Sequence, residues 1–352
     1  MGREAIDAFS DPYLARTWAS LGAVRDVRQL DGRWYVNVVL GYPAAGLEKL
    51  FAEHLERAVG EPVRLEVGFE VTPPARAKSA APVRGVAHIV AVASGKGGVG
   101  KSTTAVNLAL ALAREGARVG VLDADIYGPS VGTMLGVAQG RRPEVKDEKF
   151  FLPIKAHGIE AMSMSFLVTE DTPMVWRGPM ASGALQQLLG QTLWGDLDYL
   201  VVDMPPGTGD IQLTLSQRAP VSGAVIVTTP QDIALQDARK GLEMFRKVDI
   251  PVLGIVENMS VYVCPKCGES SHIFGAGGGE RIARDYHTEV LGALPLDMSI
   301  REQTDSGRPT LVADPEGDVA LIYRDAARRM AARLWEQTAS AARPPSISID
   351  DD

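Results

Sequence analysis

The stretch SGKGGVGKST, Ser94–Thr103, decides the fold prediction for this chain. It satisfies the pattern G-x-x-x-x-G-K-[ST] through Gly95, Gly100, Lys101 and Ser102. The apolar run AHIVAVAS precedes it and the helical pattern KSTTAVNLALALAREG follows it, which is the context of a phosphate-binding loop. Glycines let the backbone N–H groups face phosphate oxygens, and the following helix adds its positive N-terminus.

The residues of this loop are predicted to bind a nucleotide and its magnesium ion. Lys101 would neutralise the β- and γ-phosphates, the Ser102 hydroxyl would ligate Mg²⁺, and Thr103 would contact the α-phosphate. A glycine-rich turn without a ligand is the alternative, and the flanking strand and helix argue against it. The predicted nucleotide-binding residues of the loop are Gly95, Lys96, Gly97, Gly98, Val99, Gly100, Lys101, Ser102 and Thr103.

After Gly85, strand-like Val/Ile/Leu runs alternate with helical patterns. The later runs are RVGVLDAD, LDYLVVDMPPG, GAVIVTTP, VLGIVENM and EVLGALPL. Continuous apolar strands with helices between them indicate a parallel sheet that is covered on both faces. The predicted fold class is therefore α/β: a parallel-sheet P-loop NTPase domain with a smaller N-terminal α/β domain.

Four segments are predicted along the chain. Residues 1–70 form the small α/β domain, because the strand-like RWYVNVVLGYP and PVRLEVGFEV flank the helical pattern GLEKLFAEHLERAVG. Residues 71–85 are rich in Pro and Ala without a period, which is typical of a linker. Residues 86–338 form the P-loop domain, and residues 339–352 a disordered tail.

Composition and charge narrow the classes of function. The chain has 352 residues, of which 45% are hydrophobic and 23% charged, as in folded globular proteins. Its net charge of -8 argues against a nucleic-acid partner held by a broad basic face. No apolar run reaches the roughly 20 residues that span a bilayer, so no membrane partner is expected. The start of the chain lacks a signal-peptide layout and cysteines are few, so we expect a cytoplasmic location.

Carboxylates follow two of the predicted strands, in LDADIYGPS and VVDMPPGTGD. The carboxyl ends of parallel strands form the ligand-binding crevice of such sheets. Asp203 follows an apolar run and would hold Mg²⁺ through water, and Asp123 is expected near the metal. Asp210 is expected to be a helix cap or a solvated loop residue. Gly207 and Gly209 suit a mobile loop that senses the γ-phosphate.

The arrangement GKGGVGKST resembles the deviant P-loop of the family that includes MinD, ParA and nitrogenase iron protein. The resemblance implies a nucleotide-sandwich homodimer in which Lys96 crosses the interface and contacts the phosphates of the partner's nucleotide. It also implies that Asp125 orients or activates the attacking water in ATP hydrolysis. Asn258 would bind the adenine edge, with a simple turn asparagine as the alternative. Lys96, Lys101 and Asp125 are therefore the predicted catalytic residues.

The two cysteines of the chain, Cys264 and Cys267, lie in CPKCGES. Three interpretations stand: a redox pair, two of four zinc ligands, or two of four iron–sulfur ligands. Pro265 and Gly268 favour a metal knuckle, with backbone N–H groups turned toward the sulfurs. His272 is either a further zinc ligand or a loop histidine. A twofold dimer would bring four thiolates together, two from each subunit.

The motif order GKGGVGKST, DADIYGPS, MVWRGPM, DMPPGTGD, ENMS and CPKCG is similar to that of the Mrp/ApbC-type iron–sulfur cluster carrier ATPases, over about Gly85–Leu334. The resemblance implies a slow ATPase that uses ATP and Mg²⁺, binds a [4Fe-4S] cluster between two subunits and passes it to apo iron–sulfur proteins. WRGP, Trp176–Pro179, matches the family without an evident chemical role. The alternatives are a partitioning or positioning ATPase of the same superfamily, and an ATPase scaffold with structural zinc at the cysteines.

The first domain resembles the small α/β domain of iron–sulfur assembly proteins. That domain often carries a cysteine in the turn after its strand, where this chain has Tyr42 in LGYP. The tyrosine lacks the thiolate that would bind a metal or a cluster. We therefore expect a docking or structural role for this domain.

Overall fold

The computed structural model describes residues 2–74, 81–167 and 178–341, which divide into two compact units. The first unit comprises the described parts of Met1–Ala77 and Ala331–Asp352, and the second those of Lys78–Met330. The end of the last helix therefore groups with the first unit, whereas the sequence assigned that helix to the P-loop domain. A linear sequence pattern gives no sign of this assignment, because it depends on which side chains the helix end contacts.

The first unit is built on a three-stranded sheet in the order β1–β2–β3, with β1 antiparallel and β3 parallel to β2. Phe9, Trp18 and Phe51 form an aromatic cluster in its core, with ring centroids 4.3–5.5 Å apart. The elements of this unit are α1 Gly2–Asp7, α2 Trp18–Leu21, β1 Val24–Leu30, β2 Arg33–Leu40, α3 Glu48–Val59 and β3 Val63–Phe69.

The second unit contains an eight-stranded sheet in the order β15–β12–β11–β4–β10–β5–β9–β8. Every pair in this sheet is parallel except the edge pair β8–β9. Its strands are β4 Val86–Ala93, β5 Val119–Asp123, β8 Ile154–Ala156, β9 Ile159–Ser163, β10 Leu197–Asp203, β11 Val221–Thr228, β12 Val252–Glu257 and β15 Val290–Ala293.

Two short antiparallel pairs lie outside that sheet, β6 Val145–Lys146 with β7 Phe150–Phe151 and β13 Tyr262–Val263 with β14 Ser270–Ser271. The helices of the second unit are α4 Lys101–Arg114, α5 Val131–Met134, α6 Gly178–Gln191, α7 Asp210–Arg218, α8 Asp232–Lys247, α9 Gly278–Asp285, α10 Met298–Asp305 and α11 Thr310–Ala313. The last helix, α12 Asp318–Ala341, begins in this unit.

The predicted α/β class is confirmed, and burial explains why the sequence specified it. All seven residues of β10 and the last six of β4 are buried, as expected for strands with helices on both faces. The helix α4 is buried on nearly all sides, which accounts for its Ala- and Leu-rich sequence. Among the described helices, none combines the length and apolar composition needed to span a bilayer.

The strands β1 and β9 and the end of the helix α12 are among the elements that differ from the sequence-based expectation. The strands β1 and β9 were not predicted, because VRDVRQL and IEAMS carry charged residues and lack a clear apolar period. The helix α12 continues to Ala341, past residue 338 where the disordered tail was predicted to follow. The added residues are Ala339, Ser340 and Ala341, whose alanines favour helix. Residues 342–352 lie outside the described part of the chain.

Candidate nucleotide site and cysteine hairpin

The phosphate-binding loop runs from the end of β4 to the first turn of α4, as its sequence predicted. Gly98 and Gly100 have φ values of +80° and +85°, a region that L side chains rarely adopt. Gly95 is required for a different reason, because a Cβ there would lie 2.1 Å from the carbonyl carbon of Asp237 in α8. By contrast, nothing lies within 4 Å of a Cβ built on Gly97.

Lys101 is the buried cation of the site. Its Nζ lies 2.5 Å from Oδ1 of Asp203, 3.1 Å from Oγ of Ser102 and 3.8 Å from Oδ2 of Asp125. The structure thus brings together four of the predicted site residues from three separate elements. The ammonium occupies the centre of an acidic cluster, where its charge offsets that of the buried carboxylates.

Asp203 has the features expected of a residue that faces a bound magnesium ion. Its side chain is fully buried, and its Oδ2 has no hydrogen-bond partner among the described residues. Burial raises the pKa of this carboxyl, while the Lys101 ammonium acts in the opposite direction. A buried carboxylate oxygen without a partner is costly unless a ligand or an ion satisfies it. Together with the Ser102 hydroxyl, Asp203 provides the oxygen donors that Mg²⁺ prefers, so the residues fit this ion.

Asp123 organises the loop that carries Asp125. Its carboxylate accepts the backbone N–H groups of Asp125, Ser130 and Val131 at 3.0–3.1 Å. The hydroxyl of Ser163, at the end of β9, donates to Oδ2 at 3.1 Å. Burial, reinforced by the neighbouring Asp203, raises the pKa of Asp123 to about 7.

Ser163 is a site residue that the sequence analysis missed. The residue is fully buried, and its hydroxyl also lies 2.8 Å from Oγ of Ser165. Its signal in the sequence is weak, because a serine in IEAMSMS stands in no recognised motif. Only the parallel pairing of β9 with β5 brings Ser163 beside Asp123.

Lys96 and Thr103 are half-buried members of the loop. Among the described residues, the Lys96 ammonium has no ion pair, and its backbone carbonyl accepts the Ser94 hydroxyl at 2.9 Å. The action of Lys96 across a dimer interface remains a prediction. The same holds for the contact between Thr103 and an α-phosphate.

The loop after β10 contacts the phosphate-binding loop directly, since Gly207 N–H donates to the Ser94 carbonyl at 2.9 Å. Gln212 is buried and its amide donates to the carbonyls of Pro205 and Pro206 at 3.2 and 2.5 Å. These bonds link the glycine-rich turn to the phosphate-binding loop and to α7, and the mobility predicted for the turn stays a prediction. The predicted helix cap at Asp210 falls on the first residue of α7, whose side chain is outside the described part.

Asn258 lies directly against the phosphate-binding loop. Its Nδ2 donates to the Val99 carbonyl at 2.9 Å, and its Oδ1 accepts the Met259 N–H at 3.0 Å. The contact is so close that a Cβ on Gly100 would lie 2.2 Å from Nδ2. Asn258 is thus a structural partner of the loop, and its predicted contact with adenine would use the remaining amide hydrogen and lone pair.

Cys264 and Cys267 lie at the tip of the cysteine hairpin, which we define as residues 262–271. The strands β13 and β14 pair through Tyr262 with Ser271 and Val263 with Ser270. Hydrogen bonds from the backbone N–H groups of Cys267 and Lys266 lower the pKa of the Cys264 thiol. Cys264 is half-exposed and Cys267 exposed. This is the geometry of a metal knuckle, and it favours the thiolate form that binds metals.

His272 follows the hairpin, and its Nδ1–H donates to the Ser260 carbonyl at 2.8 Å. In the described part of the chain, no group of three or more His, Cys, Asp or Glu side chains is placed to hold a metal ion. His272 therefore does not complete a metal site with the two cysteines of its own chain. A tetrahedral site at this pair needs ligands from elsewhere.

Comparison with known proteins assigns the family. A family model named ParA matches residues 85–331. The proteins it represents are described as NUBPL iron-transfer P-loop NTPases. The chain belongs to this family. The predicted resemblance to iron–sulfur carrier ATPases is thereby confirmed at the level of the family.

Relatives of this NUBPL-type NTPase carry consistent names. The iron-sulfur cluster carrier protein of Escherichia coli (strain K12) is 52% identical over 334 residues, which cover 94% of this chain and 90% of that one. The iron-sulfur cluster transfer protein NUBPL of Mus musculus is 55% identical over 255 residues, covering 72% of this chain and 79% of that one.

Solved structures support the same fold. A nucleotide-binding protein from Archaeoglobus fulgidus in complex with ADP is 40% identical, with a TM-score of 0.58. The match covers 66% of this chain and 90% of the Archaeoglobus chain. The cell division ATPase MinD of Pyrococcus furiosus is 22% identical, with a TM-score of 0.53. The match covers 69% of this chain and 98% of the MinD chain, so the two proteins share the fold. The alternative of a partitioning ATPase is not favoured, since the far closer relatives carry the iron–sulfur names.

The first unit of this NUBPL-type NTPase holds Tyr42 where a cysteine was expected by resemblance. Tyr42 is fully buried, and its hydroxyl donates to Oδ2 of buried Asp11 at 2.7 Å. Its ring lies 6.1 Å from that of Trp335, and a Cβ on Gly41 would lie 2.1 Å from the Trp335 ring. The side chain is therefore part of the packing of this unit, and the docking or structural role expected for the unit stays a prediction.

Of the stretch WRGP, Trp176 and Arg177 lie outside the described residues, and Gly178 begins α6.

Proposed function

We propose that this protein is an ATP-dependent iron–sulfur cluster carrier of the cytoplasm. It would bind and slowly hydrolyse ATP with Mg²⁺, hold a [4Fe-4S] cluster between two subunits and transfer it to apo iron–sulfur proteins. The observation that carries the proposal is the accessible cysteine pair of the cysteine hairpin. This pair comes shortly after Asn258 in the sequence, and Asn258 is hydrogen-bonded to the phosphate-binding loop. The names of the relatives from Escherichia coli and Mus musculus support the same function.

In the nucleotide half of this proposal, phosphate replaces carboxylate as the partner of Lys101. The β- and γ-phosphates would attract the ammonium away from Asp203, because they carry more charge and the loop N–H groups hold them nearby. The Asp203 carboxylate and the Ser102 hydroxyl would then face Mg²⁺, the carboxylate through water. Asp125, 3.8 Å from Lys101, would orient the attacking water. Lys96 of the partner subunit would add positive charge where the transition state develops negative charge.

In the cluster half, each chain supplies two thiolates and a twofold axis supplies the other two. The exposure of Cys267 and the half-exposure of Cys264 suit a cargo site, since an acceptor protein must reach the cluster to receive it. A structural zinc site would more often be closed by four ligands from its own fold. The lowered pKa of Cys264 favours the thiolate that iron requires.

ATP can shift the dimer toward a loading or a releasing arrangement only by its difference in affinity for the two. The proposal therefore requires that nucleotide contacts differ between these arrangements. Lys96 is suited to this role, because it would contact phosphate in only one of them.

Anaerobic reconstitution with iron and sulfide tests the proposal. Wild-type protein is expected to acquire iron and sulfide in equal amounts, to sediment as a dimer, and to activate an apo iron–sulfur enzyme. Cys264→Ser and Cys267→Ser should each abolish both cluster binding and transfer, because two of the four thiolates of the dimer are lost. Ser271→Ala, in the same exposed hairpin, is the matched control and should behave as wild type.

Two results would contradict the proposal. Cluster content and transfer that survive Cys264→Ser would remove the cysteine pair from the function. Zinc at one ion per dimer that iron and sulfide cannot replace would instead support a metal-stabilised scaffold.

A further inference from the structure

The cysteine hairpin follows directly from a segment that is bonded to the phosphate-binding loop. Asn258 donates to the Val99 carbonyl, and its own N–H donates to the Thr228 carbonyl at 2.8 Å. Only five residues separate Asn258 from Cys264 in the sequence. A displacement of the loop at Val99 therefore acts on a residue close to the cysteine pair.

The segment between these residues is held on its other side by the chain after β15. Ser260 N–H and its hydroxyl both donate to the Leu294 carbonyl, at 2.9 and 3.0 Å. The Val261 carbonyl accepts the N–H of Leu296 at 2.8 Å. A segment fixed on both sides transmits a displacement along its length, because packed elements move as units and do not deform freely.

His272 closes the base of the hairpin. Its Nδ1–H bond to the Ser260 carbonyl joins the end of β14 to the segment that precedes β13. Beyond that bond, the hairpin is held by its two-residue strands and by the turn bonds of Cys264 with Glu269 and Gly268. So short an antiparallel pair is marginally stable by itself. The His272 bond is therefore placed to decide whether the hairpin follows the Asn258 segment or moves independently of it.

We propose that His272 is a positioning residue that fastens the cysteine hairpin to the Asn258 segment and so lets the nucleotide state of the phosphate-binding loop reach the cysteine pair. The inference rests on the proposed function for its biological meaning, but its physical content concerns this chain alone. Phosphate binding would move the Val99 carbonyl, Asn258 would carry the movement to Ser260, and the His272 bond would carry it to the hairpin. The two-state element is the hairpin, either fastened or loose.

Hydrogen exchange of the nucleotide-free chain and of the chain with Mg²⁺ and a non-hydrolysable ATP analogue tests this directly. In wild type, the analogue is expected to change hydrogen exchange in the hairpin, residues 262–271, as well as in the phosphate-binding loop. His272→Ala should keep the change in the loop but lose that in the hairpin, whose basal exchange should rise about fivefold for one lost hydrogen bond. His272→Asn restores a donor near the position of Nδ1 and should recover the wild-type response.

His54→Ala is the matched control, because His54 is an exposed histidine on α3 in the first unit. It should leave every exchange rate in the hairpin unchanged. If the ATP analogue changes hydrogen exchange in the phosphate-binding loop of wild type but not in its hairpin, the inference is overturned. This holds whether or not the protein carries a cluster. A His272→Ala chain with a wild-type hairpin response would overturn it equally.

A second measurement uses reconstituted protein and a ferrous chelator as the acceptor. The ratio of iron release rates with and without Mg·ATP should differ from one in wild type and in His272→Asn, and return to about one in His272→Ala. Cluster content should be equal in the three proteins. Loss of cluster from both His272 variants would show that the ring is a ligand and would overturn the positioning role. A wild-type protein that takes up no cluster would contradict the proposed function, while the exchange experiment still decides the link.

Discussion

Gly95 and Gly97 stand two residues apart in the phosphate-binding loop, and the sequence analysis predicted that both bind the nucleotide. Their surroundings differ. A Cβ on Gly95 would lie 2.1 Å from both the carbonyl carbon and oxygen of Asp237, whereas a Cβ on Gly97 would have nothing within 4 Å. Cβ contacts below 3.0 Å are essentially never observed, so Gly95→Ala would force the loop and α8 apart by about 0.9 Å.

The magnitude follows from this difference. Overpacking of a close backbone contact costs about 1–3 kcal/mol, which lowers the melting temperature of a domain of this size by about 2–4 °C per kcal/mol. Gly98→Ala has open space but a φ of +80°, so it should cost only the strain of a left-handed backbone, about 1–2 kcal/mol. Gly97→Ala should stay within about 0.5 kcal/mol of wild type.

Thermal unfolding of the nucleotide-free proteins, followed by circular dichroism, measures the three substitutions without any contribution from ligand. Gly95→Ala is expected to melt several degrees below wild type, while Gly97→Ala melts close to it. Binding of a fluorescent ATP analogue should weaken in Gly95→Ala, since the displaced loop no longer presents its N–H groups together. Equal melting temperatures for Gly95→Ala and Gly97→Ala would refute the packing argument.

Three further predictions concern buried polar groups. Asp203→Asn removes the carboxylate that pairs with Lys101, so Mg²⁺ should no longer strengthen ATP binding in calorimetry; a wild-type magnesium effect would contradict this. Burial raises the pKa of Asp123 from 3.8 to about 7. Between about pH 4 and pH 7 the folded chain therefore keeps a proton on this carboxyl that the unfolded chain releases. Because of this difference, the contribution of Asp123 to the free energy of unfolding falls as the pH rises through that range. The melting temperature of Asp123→Asn should therefore fall less across that range than that of wild type, and parallel curves would exclude the effect. Tyr42→Phe removes the hydroxyl that donates to Asp11 and should lower the free energy of unfolding by about 1–2 kcal/mol in urea titration; an unchanged value would argue against a structural role for that bond.

The contact between Asn258 and Val99 changes how the cysteine pair is understood. Considered alone, CPKCG is a candidate metal knuckle or redox pair whose relation to the nucleotide is unknown. In the structure its hairpin emerges from a segment that is bonded to the phosphate-binding loop on one side and to the chain after β15 on the other. Under the proposed link, nucleotide binding would act on the cysteines through this segment.

The sequence by itself determined the features that depend on local order. The loop Ser94–Thr103 specified strand, turn and helix together, because glycine spacing, Lys101 and the flanking periods lie within about twenty residues. Buried apolar strands separated by helices specified a parallel sheet, and the sheet in turn placed Asp123 and Asp203 at one edge. The cysteine spacing likewise predicted a knuckle turn, because all five residues that form the turn are consecutive in CPKCG.

The tertiary structure alone decided the contacts that join distant parts of the chain. Asn258 bonds Val99 across 159 residues, and Ser163 reaches Asp123 across 40. Gly95 is required by Asp237, and no spacing rule connects those two positions. Such contacts depend on the order and register of strands in the sheet, which loop closure and packing set jointly. Periodicity, a property of near neighbours, carries no information about them.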